Sequence, residues 1–502
     1  MNNQLIEKIL KARVYDVARE TPLELARSLS RRFDNTIYLK REDLQPVFSF
    51  KLRGGFNCMQ NLSPEAKVRG VIAASAGNHA QGVAYAGNHL GIPTTIVMPV
   101  ITPDIKVNSV RAFGGNAVLY GNTFDEAYQY AMERCEKEGL TFVHPFDNLD
   151  VIAGQGTIGM EITRQHPDPL DAIFICVGGG GLLSGVGTWI KYLSPSTRII
   201  GIEHEEAPSM THALKADKRV MLDQIGTFAD GAAVKQAGEN TFRIAREVVD
   251  EMITVTTDET CAAIKDVFED TRTLLEPAGA LSIAGMKKYI QKYSCKDQKL
   301  VAICSGANIN FDRLRHVAER AELGERREAL FAVTIPEEPG SFRHFCEVIG
   351  NRAITEFNYR YADKEQAQVF VGARITGEEE KNHLLQQLTD LKTPVIDLTD
   401  NELAKVHLRF MVGGHAPNIQ DELLFRFSFP ERPGALLHFL NSMGHWNISL
   451  FHYRNHGSDF GRVLVGIQVP NPERSEFNQF LEKLGYDYEE ETENPVYQHF
   501  LR

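Results

Sequence analysis

Long apolar runs, paired cysteines and long basic stretches are all missing from this 502-residue sequence. No apolar run approaches the roughly 20 residues needed to span a bilayer, and the first residues do not form a signal-peptide pattern. The seven cysteines are scattered and include no Cys-x-x-Cys pair, which favours reduced thiols over a disulfide framework. A net charge of −12 argues against nucleic acid or an anionic membrane as partner. We therefore expect a cytoplasmic protein with more than one domain.

Lys51 is the most informative residue that is present. It stands between aromatic residues and a glycine pair, in the stretch FSFKLRGG (residues 48–55). Burial in so apolar a segment lowers the pKa of an ammonium group and frees the amine to attack a carbonyl. Taken alone, a buried structural lysine is the competing interpretation. Arg53 could orient an anion, but the interpretation we favour is an ion pair with the preceding acidic run, Glu42 and Asp43.

Four consecutive glycines follow the stretch 171–177, which is apolar after Asp171 and predicts a buried strand, and residues 182–193 suit a helix. Such a turn lets backbone N–H groups converge on an anion at a helix N-terminus. No Gly-Lys-Ser/Thr follows, so this is not a Walker loop, and the contiguous glycines do not form a dinucleotide fingerprint. A tight strand-to-helix turn is the plainer alternative to a phosphate site.

Two serine loops also follow short apolar strands. Ser305 comes directly after residues 299–304, and Ser75 comes directly after residues 71–74. The carboxyl ends of strands in an open α/β sheet are where ligands bind, although each serine alone could be a helix cap. Glu276, in the motif EPAGA, is open to three interpretations: a general acid, a cation ligand, or a cap before the proline.

Taken in order and spacing, the motifs SFKLRGG, SAGNHAQG, GGGGLLSG, EPAGA and CSGAN resemble those of type II fold pyridoxal-phosphate enzymes. Within that fold they are similar to the threonine/serine dehydratase branch, over about the first 320 residues. The resemblance implies a two-lobed α/β catalytic domain (1–320), with a smaller lobe at about 45–150 and pyridoxal 5'-phosphate as the cofactor.

The resemblance also implies a role for each matching residue. Lys51 would form the internal aldimine and take the α-proton, and Ser75 would begin the loop that binds the substrate carboxylate. Asn78 would hydrogen-bond the phenolic oxygen of the cofactor, and Ser305 would face its pyridine nitrogen. The residues implied to hold the phosphate are Gly178, Gly179, Gly180, Gly181 and Leu182.

The rest of the chain contains an internal repeat. Residues 331–375 align without a gap to residues 425–469, and 15 of the 45 pairs are identical, where chance would give on the order of 3. Each copy is typical of a strand, a Pro-Gly turn, a helix and two strands, which is half of a ferredoxin-like unit. We expect residues 379–398 and 473–486 to supply the second helix and the last strand of each copy.

This pair of copies (325–402 and 421–494) resembles the tandem ACT-like regulatory tail of the biosynthetic threonine deaminase family. The resemblance implies conversion of L-threonine, and also of L-serine, with 2-oxobutanoate and ammonia as the products from threonine. It further implies a place at the start of isoleucine synthesis, inhibition by isoleucine, a counteracting effect of valine, and a homotetramer. The open alternatives are a catabolic dehydratase or serine racemase, replacement chemistry of the cystathionine β-synthase or threonine synthase kind, and an amino-acid sensor without catalysis.

The effector site implied by the resemblance lies near paired strands of the two copies. The candidates are aromatic residues at matched positions of the repeat: Phe357, Tyr359, Phe451 and Tyr453. Strand alternation places Phe357 and Tyr359 on one face, so a role in the core is an equally good interpretation.

Four histidines, His438, His445, His452 and His456, lie close together in the sequence. Their spacing matches no compact zinc pattern, and we therefore expect no metal ligation there.

Overall fold

The computed structural model describes residues 3–361, 364–390, 394–411, 413–416, 419–430, 435–454 and 460–501. The chain divides into two compact units, Met1–Ala321 and Glu322–Arg502. The boundary therefore falls between the sequence-based limits of 320 and 325.

The first unit combines two sheets with helices on both faces. Its strands are β1 (Leu23–Leu25), β2 (Thr36–Arg41), β3 (Val71–Ala74), β4 (Thr94–Met98), β5 (Asn116–Leu119), β6 (Thr141–Phe142), β7 (Ala172–Cys176), β8 (Arg198–His204), β9 (Glu251–Val255) and β10 (Lys299–Cys304). Its helices are α1 (Asn3–Lys11), α2 (Arg27–Phe33), α3 (Lys51–Gln60), α4 (Pro64–Arg69), α5 (Asn78–Leu90), α6 (Asp104–Ala112), α7 (Phe124–Glu138), α8 (Leu149–Gln165), α9 (Gly181–Leu193), α10 (Ser209–Ala216), α11 (Glu239–Val248), α12 (Thr257–Thr271) and α13 (Pro277–Tyr293), while α14 (Arg313–Gly324) crosses the boundary between the units.

The two sheets of this unit confirm the two-lobed α/β architecture. The smaller sheet has the order β5-β4-β3-β6, with parallel pairs throughout. The larger has the order β1-β2-β10-β7-β8-β9, in which only β1 is antiparallel to its neighbour. Strands β3 and β7 are buried along their whole length, as continuous apolar strands of parallel sheets are. The carboxyl ends of β3, β7 and β10 lead into the Ser75 loop, the glycine loop and Ser305.

Helix α3, which begins at Lys51, packs unusually close to two other helices. A Cβ atom at Gly82 of α5 would lie 3.0 Å from the backbone nitrogen of Leu52. A Cβ atom at Gly154 of α8 would lie 2.6 Å from the carbonyl oxygen of Arg53. A side chain at Gly154 would force α3 away from α8, and one at Gly82 would require the backbone of α3 to shift by a few tenths of an ångström. The position of Lys51 is thus set by backbone-to-backbone contact.

A buried ion cluster anchors the same helix. The guanidinium of Arg53 lies 2.7 Å from Glu42 and 2.5 Å from Glu161, and Lys40 lies 2.6 Å from Glu161. All four side chains are fully buried, so two cations balance two carboxylates away from water. The expected ion pair between Arg53 and the preceding acidic run is therefore present, through Glu42.

The second unit is built from two copies of one βαββαβ fold. The first copy contains β11 (Glu328–Pro336), α15 (Ser341–Ile349), β12 (Ile354–Arg360), β13 (Gln366–Arg374), α16 (Glu378–Asp390) and β14 (Val395–Asp397), and it is followed by α17 (Glu402–Val406). The second contains β15 (Glu422–Pro430), α18 (Ala435–Ser442), β16 (Asn447–Arg454), β17 (Phe460–Gln468), α19 (Arg474–Leu484) and β18 (Asp487–Glu490), and it is followed by α20 (Pro495–Phe500).

All these strands join in one antiparallel sheet of order β14-β11-β13-β12-β16-β17-β15-β18. The two copies meet at its centre, where β12 pairs with β16. The duplicated ferredoxin-like fold expected from the repeat is thus confirmed. The Pro-Gly turn of the second copy, residues 433–434, lies outside the described residues.

The duplication extends further than sequence comparison indicated. After β14, the Thr399 hydroxyl accepts from the backbone N–H of Leu330 at 3.1 Å, and after β18 the Thr492 hydroxyl accepts from that of Leu424 at 3.0 Å. A short helix follows in each case. The last strand of the second copy begins at Asp487, just beyond the predicted stretch that ended at 486. All four residues of β18 are exposed, so no apolar alternation marks it.

We predict that Arg53→Met destabilises the first unit by about 3–5 kcal/mol, because it leaves Glu42 and Glu161 buried with one cation between them. Urea unfolding, followed by a probe specific to the first unit, measures this loss. Arg134→Met is the matched control, since its partner Glu138 is largely exposed and such pairs contribute little. Equal unfolding midpoints for the two variants would show that the cluster does not anchor α3.

Candidate active site

The amine of Lys51 lies at the start of α3. The side chain is half-buried, and its Nζ donates to the carbonyl oxygen of Pro145 at 2.9 Å. Burial lowers the pKa of Lys51 to about 8, although the nearby Cys176 and Glu276 act in the opposite direction. A neutral amine is therefore accessible near physiological pH, as nucleophilic attack on a carbonyl requires.

The glycine loop between β7 and α9 forms a cradle of backbone donors. Gly180 has φ +95°, a left-handed conformation that favours glycine. A Cβ atom at Gly179 would lie 2.2 Å from the ring of Phe146, so a side chain at position 179 would require that ring to move. In the part of the chain that the structure describes, no amide N–H of residues 178–182 has a hydrogen-bond acceptor. Five successive unmatched donors at a helix N-terminus suit a phosphate group.

The loop at Asp147 and the first turn of α11 support the glycine loop from outside. The carboxylate of Asp147 accepts from the backbone N–H groups of Glu239, Asn240 and Thr241, at 2.9 to 3.2 Å. The hydroxyl of Thr241 in turn donates to the carbonyl oxygen of Gly179 at 2.6 Å. The glycine loop is thereby held from outside while its own N–H groups stay available.

Ser305 is buried at the end of β10, beside the end of β7. Its hydroxyl accepts from the thiol of Cys176 at 3.2 Å and approaches the carbonyl oxygen of Ala278 at 3.4 Å. Burial raises the pKa of Cys176 to about 11, so the thiol keeps its proton. Cys176 is therefore a buried packing residue that also donates a weak hydrogen bond.

Asn78, the first residue of α5, makes two side-chain hydrogen bonds. Its Nδ2 donates to Glu276 Oε1 at 2.5 Å, and its Oδ1 accepts from Asn308 Nδ2 at 2.6 Å. Glu276 occupies the position before α13, yet its side chain makes no capping hydrogen bond. Of the three interpretations offered for Glu276, the helix cap is therefore wrong. Burial raises the pKa of Glu276 to about 7, with the charge of Asp230 adding to the effect.

The Ser75 loop presents a second set of backbone donors. The hydroxyl of Ser75 accepts from the N–H of Gly77 at 3.2 Å. Within the described ranges, the amide N–H groups of Ala76, Asn78 and His79 have no acceptor. Because they lie at the N-terminus of α5, they suit a carboxylate.

Two histidines near Lys51 are uncharged at neutral pH. Burial lowers the pKa of His79 to about 3 and that of His144 to about 4. His79 Nε2 lies 2.8 Å from the carbonyl oxygen of Val143, to which it donates. Neither ring competes with Lys51 as a cation.

The four effector candidates lie on the strands where the two regulatory copies meet. Phe357 is directly opposite Tyr453, and Tyr359 is directly opposite Phe451. Phe357 and Phe451 are fully buried, with ring centroids 5.1 Å apart. Tyr359 is buried but hydrogen-bonds the carboxylate of Glu337 through its hydroxyl. The two phenylalanines therefore form core, and the tyrosines carry the polar groups of this cluster.

Neither a metal cluster nor a membrane span is found where the structure is described. No group of three or more histidine, cysteine or acidic side chains there could hold a metal ion, and His456 of the sequence cluster lies outside the described residues. The same ranges contain no helix long and apolar enough to cross a membrane.

The sequence did not predict the site residues that are far along the chain from their contact partners. Pro145, Phe146 and Asp147 form one wall of the cleft, and Asn308 contacts Asn78 across 230 positions of sequence. A histidine followed by Pro-Phe-Asp after a short strand was the available signal for the first group. Asn308 was visible as the last residue of CSGAN.

Two family models match nearly the whole chain. Residues 14–306 match the model described as "Pyridoxal-phosphate dependent enzyme". Residues 319–408 and 413–501 each match the model described as "C-terminal regulatory domain of Threonine dehydratase".

The chain is also similar to individual proteins over its full length. It is 55% identical to the L-threonine dehydratase biosynthetic IlvA of Burkholderia multivorans, over 100% of this chain and 99% of that protein. It is 51% identical to the Escherichia coli protein of the same name, over 99% of this chain and 97% of that protein. Among solved structures, the processed form of threonine deaminase isoform 2 from Solanum lycopersicum is 53% identical, covers 64% of this chain and 93% of its own, and gives a TM-score of 0.63. The structure of maize serine racemase is 30% identical, covers 62% of this chain and 96% of its own, and gives a TM-score of 0.59.

We predict that cofactor loading into the protein stripped of cofactor accelerates with pH and levels off near pH 8, the pKa of Lys51. Only the neutral amine attacks an aldehyde, and at pH 7 a pKa of about 8 leaves it neutral some hundreds of times more often than an ordinary lysine does. Stopped-flow absorbance with pyridoxal phosphate measures the rate. A rate that rises tenfold per pH unit up to about pH 10 would show an unperturbed lysine.

Proposed function

The chain belongs to the biosynthetic threonine dehydratases, which are pyridoxal-phosphate-dependent lyases, and on that premise we propose that it converts L-threonine to 2-oxobutanoate and ammonia. L-serine is the second substrate, because it offers the same carboxylate, amine and β-hydroxyl. The reaction supplies the first step of isoleucine biosynthesis.

One observation supports this activity most strongly. The amine of Lys51, which has a lowered pKa, donates to Pro145, and the glycine loop with its five unmatched amide donors packs against the adjacent Phe146. An aldehyde that carries a phosphate satisfies both at once. Pyridoxal phosphate, when bound, supplies the electron sink for chemistry at the α-carbon of an amino acid.

Lys51 has two roles in the proposed reaction. Its Nζ would hold the cofactor at the aldehyde, and the same nitrogen would act as the base once threonine is bound. With a pKa near 8, about a tenth of the released amine is neutral at pH 7, and in that form it would accept the proton from the α-carbon as a general base. The Pro145 carbonyl, which accepts from Nζ at 2.9 Å, orients the amine between these two tasks.

The remaining cofactor contacts come from the ends of three strands and helices. Gly178 to Gly181 with Leu182 would hold the phosphate, and Asn78 would donate an Nδ2 hydrogen to the phenolic oxygen. Ser305 would offer a neutral hydroxyl to the pyridine nitrogen. Because a hydroxyl stabilises a protonated ring far less than a carboxylate does, the site favours elimination over transamination.

The Ser75 loop positions the substrate. Its unmatched N–H groups at the start of α5 bind the threonine carboxylate, which places the α-carbon next to Lys51. A fixed geometry of this kind converts binding into rate, because the base and the carbon acid no longer have to find each other.

The paired regulatory copies favour a biosynthetic enzyme over a catabolic dehydratase or a serine racemase. Catalysis alone does not need them, and the likeness to maize serine racemase covers 62% of the chain. We assign isoleucine as inhibitor and valine as the counteracting effector, with both acting on a homotetramer. All seven cysteines are free thiols, in keeping with the reducing cytoplasm as the proposed location.

We predict that the purified chain with pyridoxal phosphate forms 2-oxobutanoate from threonine and that Lys51→Ala loses at least about 1,000-fold in kcat, because nucleophile and base are lost together. A coupled assay for the 2-oxo acid measures both. Lys296→Ala is the control, since that lysine is exposed and paired with Asp34. Absence of 2-oxobutanoate, or formation of D-serine from L-serine as the main reaction, would overturn the assignment.

We predict that isoleucine inhibits the full-length chain and that Tyr359→Phe weakens this inhibition by about 2- to 10-fold, the effect of one hydrogen bond. The hydroxyl of Tyr359 contacts Glu337, and we assign it to the amino-acid site. Inhibition curves for the wild type, Tyr359→Phe and the exposed control Tyr488→Phe test this. Unchanged inhibition in Tyr359→Phe would remove Tyr359 from the site, and an isoleucine-insensitive wild type would contradict the proposed regulation.

A further inference from the structure

Three polar side chains and one backbone carbonyl form a line beside the cofactor cleft. Asn308 Nδ2 donates to the carbonyl oxygen of Val47 at 2.9 Å and to Asn78 Oδ1 at 2.6 Å. Asn78 Nδ2 then donates to Glu276 Oε1 at 2.5 Å. Asn78 is 8% exposed and Glu276 4% exposed, so water does not readily replace these partners.

The backbone carbonyl gives this line a direction. A carbonyl oxygen can only accept, so the end of the Asn308 amide that faces Val47 must be the NH2 group. The second hydrogen of that NH2 group requires an acceptor, and Asn78 must therefore present its oxygen to Asn308. The NH2 group of Asn78 is left facing the opposite way.

Glu276 alone could not fix the orientation of the Asn78 amide. Burial raises the pKa of Glu276 to about 7, so near neutral pH this carboxyl alternates between an acceptor and a group with a proton to donate. A protonated Glu276 would tolerate the oxygen of Asn78 as well as its NH2 group. The contact from Asn308 does not change with pH in this range, because neither an amide nor a backbone carbonyl titrates.

We propose that Asn308 is a positioning residue that keeps the N–H of Asn78 directed at the phenolic oxygen of bound pyridoxal phosphate. This inference rests on the role proposed above for Asn78. An N–H donor stabilises the phenolate over the phenol, and so it sets which protonation form of the bound cofactor prevails at neutral pH.

Asn308→Asp reverses the line without changing its shape. The carboxylate of this variant cannot donate to Val47, and it accepts from Asn78 instead, which turns the oxygen of Asn78 toward the cofactor. We expect the protonation midpoint of the bound cofactor, read from its absorbance against pH, to rise by about one unit or more, a tenfold change or greater. Cofactor affinity should fall by a similar factor.

The spectra of five holoenzymes test this: wild type, Asn308→Asp, Asn308→Ala, Asn78→Ala, and the double variant Asn78→Ala with Asn308→Asp. If Asn308 acts through Asn78, Asn308→Asp shifts the midpoint in the wild-type background and adds nothing in the Asn78→Ala background. Asn308→Ala, which introduces no charge, should shift it less and in the same direction, and it serves if the aspartate variant does not fold.

Asn35→Asp is the matched control. Asn35 is buried in the same unit, and its Nδ2 donates to the carbonyl oxygens of Phe33 and Cys295 at 2.6 and 3.0 Å, so the substitution creates the same local repulsion away from the cofactor. An unshifted midpoint in both Asn308 variants, an additive shift in the double variant, or an equal shift in Asn35→Asp would overturn the inference. The readout does not use threonine, so a shift in an enzyme inactive on threonine would still support the role of Asn308.

Discussion

The proposed chemistry of this chain depends on bringing one amine into a partly dehydrated site and holding it there. Helix α3 carries that amine on Lys51, its first residue, and it packs so closely on α5 and α8 that a side chain at Gly82 or Gly154 would displace backbone. Two residues further on, Arg53 fixes the helix through two buried carboxylates. Rigid placement and partial dehydration have the same origin, because the contacts that exclude water also exclude movement. The lowered pKa of Lys51 follows from that packing.

Unmatched polar groups elsewhere in the unit have a consistent explanation. Native proteins pair nearly all of their buried donors, yet the glycine loop and the start of α5 both leave consecutive N–H groups without acceptors in the described residues. Thr241 holds the glycine loop by donating to the carbonyl oxygen of Gly179, and Asp147 holds the turn that contains Thr241. The N–H groups of the glycine loop therefore do not need partners within the protein to keep the loop in place. We propose that the two sets of donors bind a phosphate and a carboxylate, the two anions of the proposed complex.

Much of this architecture could be predicted from the sequence, because the relevant signals are local or periodic. The apolar strands ending at Ala74, Cys176 and Cys304, the tetraglycine turn and the spacing of the repeat all lie within short windows. The partners of Asn78 could not be predicted in this way, since Glu276 and Asn308 reach it from about 200 residues away and their pairing is set by tertiary packing. The exposed strand β18 and the helix that follows each regulatory copy were missed for a different reason: neither has an apolar pattern long enough to detect. The aromatic residues at matched positions of the repeat were ambiguous in the sequence, and the structure divides them into two buried phenylalanines and two tyrosines with polar groups.

Reductive trapping of the holoenzyme tests the central claim most directly. Borohydride fixes the cofactor on whichever nitrogen holds it, and peptide mapping by mass spectrometry then identifies that residue. We predict a single pyridoxyl-phosphate adduct, on the peptide that contains Lys51. An adduct on another lysine, or no adduct on a protein that binds the cofactor, would contradict the account.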